Sequence, residues 1–302
     1  MRGLLQSCFR IIVGLMMVGV SFSQAAGFEL KPYKDELFAY PLVLEQGQRD
    51  AFLRLDYQIQ RDLRERDEIP ERRVDGRYVS SRPSWYVRER SAVLAGSKRK
   101  HIRVGSPDAR TKLLVLYLHG KGGNRKQGNA DWTFGGNFNR LKNLMVRNDG
   151  VYLSPDVKLE SPRGTQEIRE LIAQYRELAP NAAVIVACGS MGSQVCYGLA
   201  SDAGVAGRLS GLFFLGGATD RRLLSSDAYK SGVPIVFGHG SADRVYSWEK
   251  QHALFQALAS KTKGYPVRFR LFETGSHGTP IRMINWRDEI NWMLGHSLGS
   301  RQ

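Results

Sequence analysis

Three side chains in this sequence could together activate a hydroxyl group: Ser190, Asp243 and His277, met in that order along the chain. A serine hydroxyl is a weak nucleophile until an imidazole takes its proton. The imidazole does this best when a carboxylate fixes its tautomer and balances the cation that forms. Ser190 lies in Cys188-Gly-Ser-Met-Gly192, between the apolar run Val184-Ile-Val-Ala187 and the segment Ser193-Gln-Val-Cys-Tyr-Gly-Leu-Ala200. That pattern predicts a buried strand turning sharply into a helix, with Ser190 at the apex. Small residues two before and two after the apex are what such a turn demands, because bulky ones would clash. The turn also places the Met191 N–H at a helix N-terminus, facing any negative charge that develops on a substrate.

The other two residues follow predicted strands as well. Pro234-Ile-Val-Phe237 runs into Gly238-His-Gly-Ser-Ala-Asp243, and Val267-Arg-Phe-Arg-Leu-Phe272 runs into Glu273-Thr-Gly-Ser-His277-Gly278. Upstream, Leu113-Leu-Val-Leu-Tyr-Leu118 opens into His119-Gly-Lys-Gly-Gly-Asn124, a glycine-rich loop whose backbone can approach a ligand closely. In a parallel sheet all C-terminal strand ends lie on one edge, so side chains far apart in sequence converge there.

With these four segments in view, the chain resembles an α/β-hydrolase, of the esterase, dienelactone-hydrolase or polyester-depolymerase kind. The resemblance covers roughly residues 100 to 295. It rests on H-G-x-G-G at His119 to Gly123, the turn at Ser190, H-G-x-x-D at His239 to Asp243, and G-x-H-G at Gly275 to Gly278. It implies Ser190 as nucleophile, His277 as general base and Asp243 as the acid that orients it. It also implies an oxyanion hole made by the Met191 N–H with one from Lys121 or Gly122. Cys188 departs from the family pattern, standing where a glycine is usual.

Each role has a competitor. Ser193 falls in the first helical turn, where a serine hydroxyl bonds locally. Asp220 closes its own strand-end loop and could supply the acid or cap a helix. His119 and His239 read as loop-orienting residues, His101 and His252 as exposed, and His296 as part of a polar C-terminus. No His, Cys, Asp or Glu grouping has metal-ligand spacing, so neither metal nor cofactor is expected. The glycines at 120–123 lack the spacing of a nucleotide cradle. The loop from Gly120 to Gly136 is basic and aromatic, which makes Lys121, Arg125, Lys126 and Trp132 candidate substrate contacts. Trp132 and Phe134 could equally anchor the loop to the core.

The first residues read as a secretory signal. Arg2 and Arg10 precede ten apolar residues, Ile11 to Val20, and Ser23 and Ala25 supply small residues at an A-x-A-like exit. Ten helical residues span only about 15 Å, half a bilayer core, which favours cleavage over anchoring. Cleavage would remove Arg2 and Arg10 and lower the net charge from +15 to +13. The export reading places the mature protein in the periplasm or outside the cell, where such charge suits an anionic lipid or polysaccharide, with peripheral membrane contact compatible; it could also serve solubility alone. No nucleic-acid-binding module is visible, and the sequence does not set the oligomeric state. Beyond the leader, the cysteines are Cys188 and Cys196. The expectation for them is two buried free thiols, since a strand end and the second turn of the next helix are hard to bring within ~7 Å.

Strand–helix alternation after residue 107 predicts an α/β fold with a mostly parallel central sheet and helices on both faces. The division expected is a leader at 1–26, a β-rich extension at 27–106 packed on the core, and a catalytic core at 107–302. Only Arg221 to Gly232 separate two core strands where many lipases carry a lid, so no large lid is expected. Within the extension, Leu53, Leu55, Tyr57 and Ile59 alternate like a strand with Leu42 to Leu44 as hairpin partner, while Phe52, Leu55, Ile59 and Leu63 also fit a helix. Asp67 to Arg73 reads as a loop and Arg99 to Val104 as a strand. The function expected is an exported serine hydrolase acting on a carboxylic ester. The competing readings are a peptidase or thioesterase of the same fold, or a non-catalytic binding or accessory protein on a hydrolase scaffold.

Overall fold

The computed structural model of the chain describes residues 28–69, 72–159 and 162–299, so the expected leader lies outside the described residues. The strands are β1 (Val43–Gln46), β2 (Phe52–Leu55), β3 (Asp67–Glu68), β4 (Arg73–Val74), β5 (Val87–Leu94), β6 (Ser97–Val104), β7 (Leu113–Leu118), β8 (Gly150–Pro155), β9 (Ala183–Gly189), β10 (Gly211–Leu215), β11 (Ile235–Gly240) and β12 (Val267–Phe272). The helices are α1 (Asp35–Phe38), α2 (Asn137–Arg147), α3 (Pro162–Leu178), α4 (Ser193–Ala200), α5 (Asp227–Lys230), α6 (Trp248–Lys261), α7 (Thr279–Met283) and α8 (Trp286–Gly299). Ten strands form one sheet in the order β1-β2-β12-β11-β10-β9-β7-β8-β6-β5. From β8 to β2 every pairing is parallel; β1, β6 and β5 are antiparallel to their neighbours.

The central strands read as unbroken apolar runs because both of their faces are covered. In β7 the period of two sends Leu114, Leu116 and Leu118 into a core with Ile168 and Leu171 of α3, Val195 of α4 and Leu254 of α6. Leu113, Val115 and Tyr117 point the other way, into a core with Phe138 and Leu141 of α2 and Trp286 and Ile290 of α8.

The first described residues serve both sheet edges. β1 and β2 form the hairpin expected from Leu42 to Leu44, and β2 joins β12. The alternation stops at Leu55, and Gln60–Arg64 form a single π-helical turn, so the strand and helix readings each hold for part of the segment. Asp67 to Arg73 is not simply a loop, because its ends pair as β3 and β4. Asp35 of α1 and the backbone at Ser80 also cover α2, whose outer face is polar yet buried. Arg140 pairs with Asp35 at 2.9 Å, and Asn139 exchanges two hydrogen bonds with the Ser80 backbone. Such pairing offsets much of the cost of burying polar groups.

Candidate active site

β9, β11 and β12 end on the same edge of the sheet and deliver the three chemical side chains. Ser190 begins a single 3-10 turn that leads into α4, with φ +50°. A non-glycine residue in the left-handed region is strained, and here the strain turns the hydroxyl out of the backbone. Gly192 makes the turn possible, since a Cβ there would come within 2.7 Å of the Leu118 carbonyl oxygen.

His277 Nε2 lies 2.8 Å from Ser190 Oγ, and His277 Nδ1 lies 2.8 Å from Asp243 Oδ2. Because Nδ1 faces a carboxylate, it carries the proton, which leaves the Nε2 lone pair to accept from the serine hydroxyl. The Asp243 side chain is fully buried, and its Oδ1 accepts the N–H groups of Val245 (2.7 Å) and Tyr246 (3.3 Å). Burial alone would raise its pKa. Hydrogen bonds from His239, His277 and the Val245 backbone outweigh that and hold the carboxyl well below the usual carboxylate range. The arrangement can deprotonate a serine and stabilise the imidazolium that results.

Opposite the serine, Gly120 packs so close that a Cβ there would come within 2.9 Å of Ser190 Cβ. This brings the next two residues, Lys121 and Gly122, to the site. Among the described residues their N–H groups meet no hydrogen-bond acceptor. The Met191 N–H, in the first turn of its helix, has no acceptor within the helix either.

No protein-family model matches the sequence, and no curated protein does. Solved structures match in shape. A thermostable esterase superposes with TM-score 0.54 at 17% identity over 70% of this chain, which spans 62% of that esterase's length. An esterase from Pyrococcus furiosus gives 0.53 at 12% identity, covering 74% of this chain and 95% of that one. A candidate alpha/beta hydrolase of unknown function from Agrobacterium tumefaciens gives 0.53 at 13%, covering 70% and 97%. The chain has the α/β-hydrolase fold. At these identities the likeness carries the fold and nothing finer.

Within this α/β-hydrolase fold the competitors of the three residues have other engagements. Ser193 is fully buried and its hydroxyl accepts the Ala218 N–H at 3.1 Å. Asp220 accepts the Arg222 N–H at 2.9 Å and binds the Arg222 guanidinium through both oxygens. Two histidine expectations need correction. His101 is not exposed: β6 points it under α3, where it meets the Tyr175 hydroxyl at 2.7 Å. His252 is half-buried among Phe52, Phe255 and Phe269. His119 holds the glycine-rich loop through a 2.9 Å bond to the Gly120 carbonyl, and His296 is exposed.

The two cysteines are not free. Cys188 and Cys196 form a disulfide with Cα atoms 6.3 Å apart. The 3-10 turn at Ser190 doubles α4 back beside β9, which brings its second turn closer to the strand end than a straight continuation would.

The basic loop divides. Lys126 lines a cleft of about 740 Å³ with Tyr57, Arg72, Gly122, Phe134 and Ser276, directly beside His277. Lys121 is exposed at the loop tip. Arg125 is not available to a substrate, because Glu89 and Asp156 hold its guanidinium at 2.8 and 2.9 Å. Trp132 is stacked under Arg73 at 3.4 Å and packs on Phe38, Val74 and Tyr78, so it anchors the loop. A second cleft of about 800 Å³, lined by Met191, Thr165, Tyr197 and Tyr246, reaches the residue next to Ser190. A further groove, about 1030 Å³ between Phe52, Trp248 and Trp292, includes none of the three chemical residues. Sequence reasoning missed Tyr57 and Arg72 as cleft walls, and it missed the contact of His239 with Asp243 (3.1 Å). The H-G-x-x-D spacing was the available signal for that contact.

Proposed function

We propose that this chain is a serine hydrolase that cleaves a carboxylic ester through an acyl-enzyme on Ser190. The observation that carries the reading is the unbroken relay Ser190 Oγ, His277, Asp243 at 2.8 Å per step. Ser190 Oγ attacks the ester carbonyl carbon and its proton passes to His277 Nε2. The carbonyl oxygen becomes an oxyanion, for which the N–H groups of Met191 and of Lys121 or Gly122 are the donors at hand. Collapse expels the alcohol, which takes the proton from Nε2. A water molecule then gives its proton to Nε2 and attacks the acyl carbon, releasing the acid and restoring the serine.

Two clefts, one lined by Met191 and one beside His277, suit a substrate larger than the ester group itself. Arg72 and Lys126 in one of them, with a net charge of +15 for the full sequence and +13 once the leader with Arg2 and Arg10 is removed, favour an anionic substrate. An acyl or acetyl group on an envelope lipid or polysaccharide fits this chemistry. Export is supported by the signal-like first residues and by the disulfide, which persists in an oxidising compartment.

A fluorophosphonate probe tests the catalytic reading without knowledge of the substrate. Purified protein should be labelled, and Ser190→Ala should abolish labelling while Ser193→Ala retains it. Failure of the folded wild-type protein to label would favour a non-catalytic role for the scaffold.

A further inference from the structure

His239 is fully buried at the end of β11, and both of its ring nitrogens face acceptors. Nε2 lies 3.1 Å from Asp243 Oδ2 and 3.1 Å from the Tyr246 carbonyl oxygen. Nδ1 lies 2.7 Å from Oε1 of Gln251, which is itself fully buried in α6. The Gln251 amide cannot be turned round to offer its nitrogen to Nδ1, because its Nε2 donates to the Gly217 carbonyl at 3.2 Å. A flipped amide would set two oxygens against each other there. A neutral imidazole has one donor and one acceptor, so this cage suits only the ring that donates from both nitrogens.

We infer that His239 is held as an imidazolium paired with Asp243, and that this second cation weakens the grip of Asp243 on the proton of His277. The inference rests on the serine-hydrolase reading for its consequence, though not for its geometry. One carboxylate oxygen, Oδ2, serves both rings, at 2.8 Å to His277 and 3.1 Å to His239. An acid facing one histidine makes that histidine a stronger base. An acid already balanced by a fixed cation does so less, and the imidazole stays free to accept the serine proton at lower pH. His239 is therefore a positioning residue that sets the working pH of the site while staying out of contact with substrate. The charged and titratable groups around it are Asp243 and Tyr246 from its own loop, His277 from the loop after β12, Glu249 beside Gln251 on α6, and Tyr197 of α4, which touches Gln251.

Two measurements test the inference. In ¹⁵N-histidine NMR of the intact protein, both ring nitrogens of His239 should carry protons at pH 7–8. A ring with one unprotonated nitrogen there overturns the proposal, whatever the enzyme does. The pH profile of fluorophosphonate labelling reads the consequence. His239→Gln keeps a donor towards Asp243 without the charge, and its acid limb should move up by about one pH unit. Gln251→Leu removes the acceptor at Nδ1 and should move the limb the same way, which covers the case that His239→Gln does not fold. A lower maximal rate with an unmoved acid limb in the folded variants would make His239 a purely structural residue. Absence of labelling in the wild type would sink the hydrolase reading while leaving the NMR result to decide the charge.

Discussion

Arg282 and Asp67 are paired in the protein interior by two hydrogen bonds, one of them 2.9 Å long, although more than two hundred residues separate them. Arg282 belongs to α7, directly after the His277 loop, and Asp67 to β3, part of a strap around β3 and β4 from which Tyr57 and Arg72 wall the cleft. Arg282 also donates to the Asp62 carbonyl at 3.2 Å. The pair thus fastens the strap to the histidine's own neighbourhood.

Removing one member of a buried pair leaves the other charge uncompensated, which costs about 3–5 kcal/mol. Asp67→Ala should lower stability by that order in urea unfolding, while replacement of both residues by apolar ones of similar size recovers much of the loss. A change under about 1 kcal/mol in Asp67→Ala would show that the strap does not depend on the pair.

The acid assignment separates cleanly. Asp243→Asn should lower kcat by about 10⁴-fold, because an amide no longer enforces the Nδ1–H tautomer of His277. Asp220→Asn should leave kcat near wild type, since Asp220 caps the turn at Arg222. Steady-state kinetics on any turned-over ester decides it, and a crippled Asp220→Asn beside a mild Asp243→Asn would reverse the assignment.

What could be read from sequence alone follows from locality. β7, β9, β10 and β11 announce themselves because each is a short run buried on both faces, and Ser190 and Asp243 lie a few positions past two of them, whereas His277 follows β12, where apolar residues alternate with Arg268 and Arg270. The disulfide was hidden because Cα proximity depends on how tightly the Ser190 turn folds back. His101 was hidden because Lys98-Arg-Lys-His101 looks like a solvated face until α3 covers alternate residues of β6. The strap was hidden because a pair such as Arg282 with Asp67 leaves no periodic trace in either segment.

The Cys188–Cys196 bond ties the strand that carries Ser190 to the helix that follows it. Closing so short a loop in the unfolded chain is worth about 2–3 kcal/mol in the chain-entropy model. A Cys188→Ala/Cys196→Ala double variant should lose about that much stability. It should also label more slowly with fluorophosphonate, because the strained Ser190 turn is less firmly held. Unchanged labelling would confine the bond to a stabilising role.

His101 adds a pH dependence of stability. Burial, with Arg103 and Arg90 nearby, lowers its pKa to about 4. The folded value lies below the ordinary ~6.5, so the unfolded chain takes up the proton first as pH falls. The contribution is complete above about pH 6.5 and is lost progressively towards pH 4, amounting to at most about 3 kcal/mol. Urea midpoints at pH 7.5, 6 and 4.5 should therefore fall less steeply for His101→Gln than for wild type. Parallel curves would mean that His101 takes up its proton as readily in the folded protein as in the unfolded chain.

The cleft beside His277 should sort substrates by charge. Arg72 and Lys126 project into it, and no ion pair engages either of them among the described residues, whereas Arg125 is neutralised by Glu89 and Asp156. Unpaired cations at a cleft wall attract an anionic substrate over distances near the ~8 Å Debye length of physiological salt, and added salt screens that attraction. For an anionic ester, kcat/KM should fall as salt rises, while a small neutral ester stays nearly flat. Arg72→Gln/Lys126→Gln should lower kcat/KM for the anionic ester several-fold, chiefly through KM, and flatten its salt dependence. Arg125→Gln should not reproduce that selective effect, because its charge is already spent on the fold. If neutral and anionic esters respond alike to salt and to the double substitution, the basic wall plays no part in recognition, and the positive charge of this protein serves another end.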